Sequence, residues 1–144
     1  GPDRFIEIVK FYSIKNNNLK VILTGKRRQY VIKELEKLNI EYFYFEMADF
    51  KILNELYNLI DLYIVSSRIE GGPQAIVECG ITKTPIISTD VGFATDILAA
   101  ESIFDMNNFS DAKPNVKYAF QKSLEIQIPD GFNKFIKMFS EINI

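Results

Sequence analysis

Glu70 and Glu78 bracket the stretch Gly71-Gly72-Pro73, and these residues carry the chemistry most legible in the chain. An apolar run, Leu62 to Val65, precedes them and predicts a buried strand. Pro73 predicts the opening of a helix, in the first turn where its missing N–H costs nothing. A strand, a glycine turn and a helix together aim free backbone N–H groups at an anion. The glycines let a ligand approach the backbone closely, and Gly72 is expected at that approach. Glu78 falls about one and a half turns into the helix, near enough to the same mouth to reach a hydroxyl. Each piece also has a plain structural meaning. Glycine turns between strand and helix are common, and a glutamate in the second turn of a helix is ordinarily solvated, with a small gain from the helix dipole.

Further candidates follow other apolar runs. Gly25 closes the run Leu19 to Thr24, and Lys26-Arg27-Arg28 comes next, either a phosphate contact or a solvated helix start. Glu46-Met47 follows the run Ile40 to Phe45, and Thr89 to Gly92 follows Pro85 to Ser88. Cys79, beside Glu78, reads as a small buried hydrophobe. Tyr42 to Phe45 reads as core and edge packing. No basic and aromatic pattern pairs with it, so nucleic acid is not an expected partner.

The elements that position these residues alternate. Phe5, Ile8, Val9 and Tyr12 form one helical face, with Asp3 as its candidate cap. Val31, Leu35 and Leu38 form a second, and Phe50, Leu53, Tyr57 and Ile60 a third, capped by Asp49. Helices are also predicted over Gln74 to Ile81, Thr95 to Ala100 and Lys113 to Leu124, with Pro114 in the first turn of the last. Ser102 to Phe104 is a candidate edge strand. Pro129-Asp130-Gly131 interrupts the chain, and Phe132, Phe135, Ile136 and Phe139 form the face of a final helix. Strands alternating with helices imply parallel βαβ units and a doubly wound parallel sheet with helices on both faces. Ligands of such sheets bind outside the carboxyl ends of the strands, where Gly25, Glu46-Met47, the Glu70 turn and Thr89 to Gly92 all fall.

Composition narrows the function. The 144 residues are 47% apolar and 25% charged with a net charge of −2, which fits one globular domain. There is no histidine and one cysteine. That removes Ser-His-Asp and Cys-His catalysis, histidine-ligated zinc and any intrachain disulfide. No run approaches the roughly 20 apolar residues of a membrane span.

These residues together resemble a known family. Ser66-Ser67-Arg68-Ile69-Glu70-Gly71-Gly72-Pro73-Gln74-Ala75-Ile76-Val77-Glu78 is similar to the Glu-x7-Glu signature of family 4 retaining glycosyltransferases. Their GT-B architecture has two Rossmann-like domains. Lys20 to Gly25, Tyr57 to Val65 and Thr84 to Gly92 resemble the flanking segments in the same order. The likeness runs from Asp3 to Asp105. Thr82-Lys83 stands where the family has a small residue and a glycine, and Asp96 where a glutamate is usual.

The resemblance implies that residues 1–144 are one Rossmann-like nucleotide-sugar-binding domain, half of a GT-B enzyme. It implies an acceptor-binding N-terminal domain outside this chain, and a strand with an arginine–lysine pair just before Asp3. Glu78 would accept from the ribose hydroxyls, and Glu70, the catalytic candidate, would contact the donor sugar. Gly71, Gly72, Pro73 and Gln74 would hold the diphosphate or sugar, with Gly25 and Lys26 nearby, and Glu46 and Met47 would flank the base. No metal or other cofactor is implied. The partners would be a nucleotide-sugar and the acceptor domain, in the cytoplasm or at the inner face of a membrane, with membrane contact only through the other half. Two competing readings are a non-catalytic Rossmann-like ligand-binding or interaction domain and a sugar-nucleotide epimerase.

Overall fold

A computed structural model describes residues 1–141, apart from the side chains of residues 130, 134 and 135. In chain order the elements are α1 (Pro2–Lys15), β1 (Lys20–Thr24), α2 (Gln29–Lys37), β2 (Glu41–Phe45), α3 (Phe50–Leu59), β3 (Tyr63–Val65), α4 (Gln74–Thr82), β4 (Ile86–Thr89), α5 (Ala94–Ile97), β5 (Ile103–Phe104), α6 (Val116–Leu124) and α7 (Asp130–Glu141). All pairings are parallel, so the chain is an α/β, Rossmann-like assembly.

The strands form two sheets rather than one continuous sheet. β1 pairs with β2, and β3, β4 and β5 pair in that order. Among the described residues β1 and β3 each keep one unpaired edge, as β2 and β5 do, and α1 links the two sheets. Ile6 and Val9 of α1 pack with Val21 and Leu23 of β1 and Val31 and Leu35 of α2. Ile8, one residue away and fully buried, packs with Ile87 of β4 and Phe104 of β5.

Strand alternation explains β4. Ile87 points to the α1 side, while Ile86 joins Ile76 and Cys79 of α4, Ala94 and Ile97 of α5 and Ala119 of α6. Successive side chains of a strand face opposite ways, so a strand covered by helices on both faces is buried throughout; the hydroxyls of Ser88 and Thr89 are satisfied by backbone carbonyls. All four residues of β4 are buried.

Several local expectations change. Asp49 caps α3, accepting from the Ile52 N–H at 2.8 Å. Asp3 does not cap α1: Gly1 holds that position, and Asp3 lies in the first turn. Its carboxylate instead pairs with both terminal nitrogens of Arg68, Nη1 donating to Oδ1 at 2.8 Å. Pro73 is the residue before α4 rather than its first, with φ −65° and ψ 114°. Pro114 precedes α6, where Asn115 accepts from the Tyr118 N–H at 3.0 Å. The Pro129-Asp130-Gly131 interruption is the start of α7. Phe132, Ile136 and Phe139, the expected buried face of α7, are exposed; the side chain of Phe135 lies outside the described ones. Among the described residues no helix is long and apolar enough to cross a membrane.

The Asp3–Arg68 pair carries a testable sign. The hydrogen-bonded guanidinium of Arg68 holds the Asp3 carboxyl well below the usual carboxylate range. A depressed folded-state pKa contributes stability above the unfolded value and loses it as pH falls through the folded one. The pair is exposed, so its effect on stability is small, but the titration itself moves. Arg68→Ala should raise the Asp3 midpoint toward the usual carboxylate range, followed by carboxylate NMR. An unchanged midpoint would mean the pair does not form in solution.

Candidate functional site

The turn after β3 is held from three sides. The Ser66 hydroxyl donates to the Gly1 carbonyl at 3.0 Å, and the Thr89 hydroxyl at the end of β4 donates to the Ser67 carbonyl at 2.7 Å. Gly92, in the turn after β4, has φ +54°, and a Cβ there would lie 2.7 Å from the Gly72 Cα and N. Only glycine tolerates both that backbone and that approach. A Cβ on Gly72 would overlap the Phe93 ring, whereas Gly71 has open space around its Cα. The space beside Gly72 is thus taken by Phe93 of the same chain. The close approach of a ligand, expected at Gly72, is open at Gly71.

Pro73 turns the chain into α4 with no side-chain cap. The first N–H groups of a helix have no acceptor within it, so those of Gln74 and Ala75 are available at this end. Glu78 lies on the half-buried side of α4. The Tyr57 hydroxyl of α3 donates to Glu78 Oε2 at 2.6 Å. Burial first, and then this bond, push the Tyr57 phenol well above its ordinary pKa. Burial likewise pushes the Tyr63 phenol up to about 12; the positive charge of Arg28 opposes the rise, and the carboxylates of Glu78 and Glu70 add to it. Burial raises the Cys79 thiol as well. It stays protonated and is no nucleophile.

The other sequence candidates sit at the ends of β1 and β2. Gly25, at φ +82°, donates its N–H to the Phe45 carbonyl at 3.0 Å, which ties the two strand ends together. Lys26, Glu46 and Met47 are exposed there. Arg28 Nε donates to the Thr24 carbonyl at 2.8 Å. Glu70 is also exposed. Among the described residues no three His, Cys, Asp or Glu side chains gather as a metal-holding set. A depression of about 710 Å³ lies at the opposite ends of β1 and β2, lined by Ser13, Asn16, Leu38 and Glu41 among others. It is remote from the glycine turn and has no helix N-terminus or paired carboxylates, so the chemistry favours the carboxyl ends of the strands.

Residues 1–124 match the family model of the glycosyl transferases group 1. The chain belongs to the glycosyl transferases group 1 family. The match covers every element from α1 to α6, and hence every candidate site residue of this glycosyltransferase domain. No curated protein matches the chain at a significant level. Within the domain, Tyr57, read from the sequence only as part of a helical face, and Phe93 are contacts of the site that sequence reasoning missed. Each reaches its partner across 21 positions of chain (Tyr57 to Glu78, Gly72 to Phe93), and no local spacing signals such a pairing.

The packing of the two glycine turns generates a prediction. Gly72→Val should destabilise the fold by about 1–3 kcal/mol, an overpacking cost. Gly71→Ala should leave stability within about 0.5 kcal/mol, as an open surface position does. Urea unfolding of both variants checks this. Equal stabilities would mean that the Phe93 ring yields freely and Gly72 is not needed for packing.

Proposed function

We propose that this glycosyltransferase domain is the donor-binding half of a family 4 retaining enzyme. The reaction would move a sugar from a nucleoside-diphosphate sugar to a glycan or glycolipid, as in polysaccharide biosynthesis. The observation that carries the reading is the mouth of α4. An uncapped helix N-terminus and an open Gly71 lie at the end of a parallel strand, with Glu70 before the turn and Glu78 in the second turn of the helix.

Roles follow from the chemistry. Glu78 accepts from the ribose hydroxyls, since an ionised carboxylate offers about four lone-pair sites. The N–H groups of α4 and the Gly71-Gly72-Pro73-Gln74 turn hold the diphosphate. Gly25 and Lys26 approach it from the end of β1, and Glu46 and Met47 border the base. Glu70 contacts hydroxyls of the sugar. The anomeric C–O bond to the diphosphate breaks as the bond to the acceptor oxygen forms on the same face. The acceptor proton passes to an oxygen of the leaving diphosphate. Fixed donors aimed at that developing charge supply the stabilisation. The scheme invokes no metal. It places the protein in the cytoplasm or at the inner face of a membrane.

The unpaired edges of β1 and β3 support a further part of the reading. A strand from a preceding segment belongs between them, bringing basic diphosphate contacts, and an acceptor-binding domain precedes it.

Two outcomes test the proposal. Glu78→Gln should weaken UDP or GDP binding by about 1.5–3 kcal/mol, the value of a charge-assisted hydrogen bond, in titration calorimetry. Equal affinities would remove Glu78 from the site and favour the non-catalytic reading. The 144-residue chain alone should bind nucleotide weakly. Losing one or two charged contacts takes micromolar affinity to roughly millimolar. It should also transfer no sugar, because positioning between two domains supplies much of the rate. Turnover of radiolabelled UDP- or GDP-sugars by this chain alone would contradict the two-domain mechanism.

A further inference from the structure

We propose that Tyr57 is a positioning residue for Glu78: its phenol holds one carboxylate oxygen in place so that the rest of the carboxylate faces the ribose diol of a nucleoside diphosphate. The inference rests on the donor-binding reading and adds to it the device that aims the carboxylate.

Tyr57 is fixed at both ends. Its hydroxyl donates to Glu78 Oε2 at 2.6 Å. Its backbone carbonyl accepts from the hydroxyl of Thr84, a buried residue just beyond α4, at 2.7 Å. The Thr82 and Thr84 hydroxyl oxygens lie 2.7 Å apart, and Thr82 Oγ1 is 2.8 Å from the Glu78 carbonyl. The last turn of α3 is thereby tied to α4 both at the Glu78 side chain and at the end of the helix that carries it. The Tyr57 ring packs at 44° to that of Tyr63, with centroids 5.7 Å apart. Both rings join the cluster containing Ile76 and Cys79, so the phenol cannot swing away without opening that packing.

The chemistry of the phenol suits this task. Burial and the carboxylate keep it protonated, so towards Glu78 it is only a donor. Among the described residues, Glu78 Oε1 has no hydrogen-bond partner. Of about four acceptor sites on the carboxylate, the phenol occupies one and leaves room for two ribose hydroxyls. A free glutamate on a helix samples several rotamers, and ordering it would weaken binding. Tyr57 orders it beforehand, as supporting residues of a preorganised site do.

The test compares UDP and GDP with their 2′,3′-dideoxy counterparts, using NMR titration of the 144-residue chain. Tyr57→Phe removes the hydroxyl and keeps the ring. It should weaken binding of the ribose ligand about three- to tenfold and change binding of the dideoxy ligand less than about twofold. The Tyr57→Phe/Glu78→Gln double variant should lose no more ribose-ligand affinity than Glu78→Gln alone, since the phenol acts only through that carboxylate; fully additive losses would separate the two residues and overturn the inference. An equal loss for both ligands would assign Tyr57 a purely structural role and overturn the inference. If Glu78→Gln discriminates ribose from dideoxyribose while Tyr57→Phe does not, Glu78 binds ribose without help from Tyr57 and the inference falls. If Glu78→Gln does not discriminate, the donor reading itself falls, and the positioning role with it.

Discussion

The burial of α1 against both sheets is the constraint on which the rest of the structure depends. Ile6 and Val9 close the core of β1 and α2, and Ile8 closes that of β4 and β5. A helix presents neighbouring residues about 100° apart, so one apolar face can serve two sheets only if it is broad. Adding Ile6 to the expected face of Phe5, Ile8, Val9 and Tyr12 gives that breadth. The N-terminal end of the same helix reaches the site, where the Gly1 carbonyl accepts from Ser66 and Asp3 pairs with Arg68 in the turn after β3. Seating α1 therefore brings the two sheets together and steadies one side of the Glu70 turn.

The opposite side of that turn is steadied by backbone packing. Gly92 at φ +54° lies against Gly72, whose own free side is filled by Phe93. The turns after β3 and β4 act as one unit, anchored by the Thr89 hydroxyl on the Ser67 carbonyl. What remains open is Gly71 and the start of α4. A turn made rigid by contacts on its protein side can leave its outer N–H groups free without collapsing, and an anion site made of backbone donors requires that.

Much of the fold was legible because the elements follow strong local rules. The apolar runs became β1 to β4 within a residue or two, and Asp49 capped its helix through the Ile52 N–H. Asp3 misled because a carboxylate at a helix start serves equally as a cap or as a partner for a distant arginine. The division into two sheets was not legible, since hydrophobic patterning marks strands but does not say which edges meet. Of the candidate site, the contiguous part, Glu70 to Glu78, is what the sequence alone proposes. Its supports were not legible, because Tyr57 and Phe93 approach it from other elements. The final helix shows the limit from the other direction: spacing identified an apolar face over Phe132, Ile136 and Phe139, but periodicity cannot say what covers it, and in this structure the face is exposed.

The distribution of local irregularities carries its own argument. Sequences that fold well agree with local rules, and departures tend to gather where function requires them. Here Pro73 stands in the capping position of α4, where a side-chain acceptor would be favoured. A half-buried glutamate accepts from the half-buried Tyr57 phenol, where an apolar residue would pack without desolvation cost. Two consecutive glycines, one of them exposed, lie in a turn that is otherwise tightly packed. A core chosen for stability alone would place Gln or Leu at position 78 and a serine or aspartate at the helix cap. The same helix end therefore gives up a cap, admits a carboxylate and leaves a glycine open. Under the proposed reading, a polyhydroxylated anion with phosphate at the N–H groups and hydroxyls at the carboxylates would account for all three departures at once.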